Sequence, residues 1–121
     1  MTEGSGIPID GEPMLTTAAM ASVPPKRLPE LLARVQSALG PRLGSYEQSF
    51  ECVCDDRDRA VFLVPTDHWE AALEELDLGR RERDAVRRAH NEQLTFLASG
   101  TGRRDEFEAA LEIRDAVCIG R

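Results

Sequence analysis

The stretch FECVCDDRDRAVFLVP, residues 50–65, decides the fold. Phe50, Cys52 and Cys54 alternate with Glu51, Val53 and Asp55, the two-residue period of a strand with one buried face. Ala60-Val61-Phe62-Leu63-Val64 is a β-prone run without a polar interruption, as a strand covered on both faces requires. The charged segment Asp55–Asp58 lies between them. Together these features predict an antiparallel hairpin with strands over about 49–55 and 59–64. A symmetric turn pairs Cys54 with Arg59, Cys52 with Val61 and Phe50 with Leu63, for a two- or a four-residue loop alike. Pro65 closes the second strand because it has no N–H to donate.

Helical patterns surround the hairpin. Asp10 is placed to cap a helix over about 12–21, with Pro13 in its first turn and Val23-Pro24-Pro25 ending it. Leu28, Leu31, Leu32, Val35 and Leu39 make one helical stripe, which Gly40-Pro41 stops. Residues 41–47 mix turn residues with broken helical spacing. Asp67-His68-Trp69-Glu70 reads as a capping box ahead of a stripe of Trp69, Ala72, Leu73 and Leu76. Leu78-Gly79 leads into a longer helix over about 80–98, with Ala85, Val86, Ala89, Leu94 and Leu97 inward. After the Ser99–Gly102 loop, a last helix carries Phe107, Ala110, Leu111 and Arg114, and 116–119 is a candidate third strand. The expected fold is therefore α+β, a helix-dominated single domain of about five helices around a small hairpin. Residues 1–9 read as a flexible tail and 10–121 as the globular domain.

At 121 residues, one hydrophobic core without metals or disulfides is within reach. The chain has 41% apolar and 31% charged residues, which excludes disorder throughout, a coiled-coil rod and a collagen-like fibre. The apolar stretch Met14–Val23 is far shorter than the roughly 20 residues of a membrane span. No basic residue precedes Lys26, so an export signal is not expected. With three cysteines and no such signal, free thiols in a reducing cytoplasm are the expectation. Net charge is −7, which repels phosphate polymers and anionic membranes on average. Fourteen of the fifteen basic residues are arginine, a residue that forks onto carboxylates and suits an acidic surface in molar salt. The basic excess falls in Arg80, Arg81, Arg83, Arg87 and Arg88.

Four constellations bear on function. The arginines at 80–88 could face an anion, but Asp84 and Glu92 stand at spacings that neutralise Arg80 and Arg88. Thr101, Gly102, Arg103 and Arg104 precede a helix start, where free N–H groups suit an anion, yet the spacing falls short of a phosphate loop. Cys52 and Cys54, with Cys118 and His68 or His90, supply zinc-type ligands. In a regular strand, however, residues two apart have Cα atoms about 6.6 Å apart, so one ion requires a bend. Neither histidine sits in a nucleophile motif, and His90 borders an apolar stripe as a core-edge residue with one partner. No catalytic, cofactor or metal residues are therefore assigned.

The runs LVPTDHWEAALEELDLGRRERDAVRR (63–88) and GRRDEFEAALEIRDAVCIGR (102–121) resemble small uncharacterised acidic proteins of haloarchaea, over about residues 10–121. That resemblance implies a cytosolic α+β domain and brings no activity, cofactor or functional residue. The resulting expectation is a non-enzymatic protein-interaction or regulatory module, with a protein partner or a second copy of itself. Trp69, Arg80, Arg83, Arg87 and Arg88 form its candidate contact surface. The alternatives are a nucleic-acid-associated regulator using the same arginines, and a thiol–metal protein.

Overall fold

A computed structural model describes residues 7–121. The uninterrupted apolar run becomes the middle strand of a three-stranded antiparallel sheet. Strand β1 (Glu51–Asp55) pairs with β2 (Arg59–Pro65), and β2 pairs with β3 (Arg114–Gly120), in the order β1-β2-β3. Ala60 to Val64 are all buried, as a strand flanked on both edges and both faces must be. Full burial contributes roughly 1.5–3 kcal/mol for a side chain such as Phe62. The third strand is longer than expected. It begins at Arg114, which is therefore a strand residue and not the last inward position of the preceding helix.

The hairpin register differs from the symmetric one. Asp55 pairs with Ala60 and Cys54 with Val61, then the ladder slips, so that Cys52 meets Phe62 and Glu51 meets Leu63. Two local causes account for this. The Asp56 carboxylate accepts the backbone N–H groups of Asp58 (2.8 Å) and Arg59 (3.0 Å), while Asp56 N–H donates to Arg59 O at 3.0 Å. That closes the turn one residue later than symmetry would. The Asp58 N–H, first among several contacts, holds the Asp56 carboxyl below its usual range. Val53 then forms a β-bulge, an extra residue that bends the strand.

The helices are α1 (Gly11–Met20), α2 (Arg27–Leu39), α3 (Leu43–Ser49), α4 (His68–Ala72), α5 (Arg80–Ser99) and α6 (Arg104–Ala110). The ambiguous 41–47 stretch supplies α3, whose Tyr46 packs on Phe50 and Phe62. The stripe Leu28, Leu31, Leu32, Val35 and Leu39 is buried along α2. The long helix α5 lies against β3, with α1, α2 and α6 around it.

Two of the expected caps do not form. Asp10 makes no cap bond to α1. Its carboxylate instead accepts from Arg59 (3.0 Å) and Gln93 Nε2 (3.0 Å), and its N–H donates to Gln93 Oε1 at 2.6 Å. Asp67 makes none to α4 either, whereas Glu82 reaches back to Gly79 N–H at 3.4 Å at the start of α5. The Asp10 clamp also shortens the expected tail of residues 1–9. Ile9 is buried and Ile7 packs on the core, because apolar side chains next to a tethered aspartate have a core to reach. Residues 1–6 of that tail lie outside the described residues.

The outer edge of β3 is closed by side chains. Ala116 N–H donates to Asn91 Oδ1 (2.7 Å), Cys118 N–H to His90 Nδ1 (2.8 Å) and Gly120 N–H to Gln36 Oε1 (2.8 Å). These are alternate residues, the set an added strand would otherwise meet. Gln36 Nε2 also donates to Gly120 O at 3.3 Å. Because Nδ1 of His90 must accept, the neutral ring carries its proton on Nε2. Burial pushes His90 down to about 3.

Candidate functional site

The order β2, turn, α4, turn, α5 brings Trp69 beside the first two turns of α5. Trp69 points inward, where its ring meets His90 edge-on with centroids 4.8 Å apart. The neighbouring surface is concave. A cavity of about 710 Å³ is lined by Ser22, Thr66, Trp69, Glu70, Arg80, Arg81, Arg83, Asp84 and Arg87. Ser22 comes from the α1–α2 connection and Thr66 from the turn after β2. Neither carries a sequence signal that separates it from an ordinary loop residue.

The arginines fall into two groups. Arg87 donates to Asp84 (3.1 Å) and to the buried Asp115 (3.2 Å), and Arg88 donates to Asp84 at 2.8 Å. Burial disfavours charge on Asp84, but hydrogen bonds from Arg87 and Arg88 outweigh it and hold its carboxyl below the usual range. The expected Arg80–Asp84 and Arg88–Glu92 pairs do not form, because Asp84 is taken by the two later arginines. Among the described residues, Arg80, Arg81 and Arg83 have no carboxylate partner. The cavity wall thus carries four arginines against Glu70 and Asp84, a positive lining in a chain of net charge −7. One further donor is free: Trp69 is 3% exposed, and its Nε1 has no partner among the described residues.

Of the expected contact surface, Trp69, Arg80, Arg83 and Arg87 meet at this cavity, while Arg88 lies outside its lining. The second candidate, Thr101–Arg104, is spent on local structure. Gly102 takes φ +77°, a conformation that favours glycine, and Arg103 N–H turns back to Ala98 O at 3.3 Å. Thr101 Oγ1 donates to Ala98 O. Arg103 forks onto Glu106 (3.0 Å) and covers the Phe107 ring at 4.4 Å, and Arg104 pairs with Glu108 at 2.8 Å. Arg104 also borders a smaller hollow of about 240 Å³, shared with Glu12 and Glu92, where an anion meets more negative than positive charge.

The thiols are dispersed. Cys52 is exposed, Cys54 half-buried and Cys118 buried, with burial raising the Cys118 thiol far above its usual range. The bend that one ion would require does exist at Val53. Even so, among the described residues no group of three or more His, Cys, Asp or Glu is placed to hold a metal ion. His68 Nε2 and the Tyr46 hydroxyl share a hydrogen bond of 2.5 Å. Burial lowers His68 against the opposing charge of Asp67.

The fold and this cavity define a helix-dominated α+β domain with an arginine-lined concave face. A family model described as a domain of unknown function, DUF8048, matches residues 7–121, and the chain belongs to that family. No curated protein and no solved structure matches the chain. No helix among the described residues is long and apolar enough to cross a membrane.

Proposed function

We propose that this chain is a non-enzymatic protein-interaction or regulatory module in the cytoplasm of a halophilic archaeon. It docks an acidic surface of a protein partner on the face formed by Trp69, Arg80, Arg83, Arg87 and Arg88. The observation that supports this reading is the convergence of the unpaired Arg80, Arg81 and Arg83 on one concave wall. Guanidinium groups fork onto carboxylates and are common anchors of interfaces. The arginine-dominated, acidic composition supports the halophilic setting.

The test is an affinity pull-down of the tagged chain from its host lysate in molar KCl, read by mass spectrometry and nucleic-acid staining. A stoichiometric protein, or a second copy of this chain, lost in R80A/R83A, is the expected outcome. A folded monomer that recovers nothing overturns it. The same unpaired arginines favour a second reading, a nucleic-acid-associated regulator, and the nucleic-acid staining separates the two: a polynucleotide recovered in place of a stoichiometric protein selects the second.

A further inference from the structure

We infer that the cavity at the start of α5 binds a small organic phosphate, with Arg80 and Arg83 as its principal ligands. This goes beyond the docking reading and does not need a partner protein. Three features of the cavity carry it. The first is charge: Arg80, Arg81 and Arg83 have no carboxylate partner among the described residues, although the chain as a whole has net charge −7. Three like charges lining one cavity repel one another, which a bound anion relieves.

The second feature is valence. One carboxylate offers a single charge and two oxygens, which one arginine fork satisfies. A phosphoryl group offers up to two charges and three oxygens, and so engages several forks at once. Arginines three apart on a helix lie on one face, as Arg80 and Arg83 do. Both stand in the first turns of a 20-residue helix, where the dipole adds to their field.

The third feature is room. A volume of about 710 Å³ lies in the range of small-molecule sites and far exceeds a bare phosphate. The remaining wall offers groups for the rest of the molecule. Ser22 and Thr66 present hydroxyls, Glu70 presents a carboxylate acceptor, and the inward-pointing Trp69 lies under the wall.

Trp69 is the only tryptophan, so the purified chain contains its own probe. Pyrophosphate, a soluble stand-in for an organic phosphate, is titrated at ionic strength fixed with KCl. Binding is read by Trp69 fluorescence and, independently, by calorimetry. The expected result is saturation with a sub-millimolar midpoint. That midpoint rises at least tenfold in R80A/R83A and stays unchanged in R104A, which alters the smaller hollow of Glu12 and Glu92. R80A alone, at an exposed first-turn position, serves if the double variant fails to fold by circular dichroism. Triglutamate is the carboxylate control, with a midpoint at least tenfold weaker. Equal midpoints for triglutamate and pyrophosphate would overturn phosphate selectivity while leaving acidic-partner docking intact. A titration flat by both readouts, or one unaffected by R80A, overturns the site. Partner capture is measured separately, so either reading can fail alone.

Discussion

The two edges of the sheet are protected in opposite ways. On β3, three alternate N–H groups are taken by Asn91, His90 and Gln36, side chains from two different helices. On β1, no backbone hydrogen bond from another element reaches the outer edge among the described residues. That edge is instead five residues long, bulged at Val53 and bracketed by exposed Glu51 and Asp55. A short, bent, charged edge is a poor template for another strand. One edge is closed by bonds and the other by deterrence. The first should therefore be costly to break in stability, and the second costly only in solubility.

The sharpest way to break the comparison is H90A. It opens a cavity beside Trp69 and strands the Cys118 N–H, so a loss of about 3–4 kcal/mol is expected in urea unfolding. H90N should lose less, because its Oδ1 can accept the same N–H. An acid titration sharpens the point. His90 is neutral in the folded chain down to about pH 3 but charges near its ordinary value when unfolded. Between those limits the unfolded state binds the extra proton. Stability therefore falls as pH drops from about 6.5 toward 3, by up to about 1.4 kcal/mol per unit from this residue. H90N should flatten that slope, and an unchanged slope would assign it to other groups.

N91A comes next. It removes the acceptor for Ala116 N–H and a donor to the buried Asp115 (3.1 Å), for an expected loss of about 2 kcal/mol. The smallest effect on stability belongs to the open edge. E51T/D55T removes the exposed pairs Glu51–Arg114 and Asp55–Arg121, and should shift unfolding by no more than about 1 kcal/mol. It should nonetheless produce concentration-dependent association in sedimentation, with the wild type as reference. Equal sedimentation of the two would show that the charges on β1 deter nothing.

The same contrast explains what was legible in the sequence. The central run 60–64 declared itself because five apolar β-formers leave no face for water. The register did not, since it depends on the Asp56 side chain gripping its own turn and on a bulge that has no residue signature here. Strand β3 was visible only as a short apolar end. Its full length rests on Gln36, His90 and Asn91, which read as ordinary helix residues until the fold brings them to that edge. Trp69 and the α5 arginines could be nominated because they lie on successive helices. Which of them stayed unpaired could not, because Asp84 had arginines within reach on both sides and three-dimensional packing chose Arg87 and Arg88. Ser22 and Thr66 reach the cavity only through tertiary structure.

The position of β3 in the chain also sets a timetable for synthesis. Strand β2 leaves the ribosome about 50 residues ahead of the strand that covers its second edge. At roughly 5–20 residues per second, Ala60-Val61-Phe62-Leu63-Val64 waits on the order of several seconds with that edge bare. Throughout that interval the nascent chain displays its most aggregation-prone segment beside the Asp55–Asp58 acids, which act as its gatekeepers.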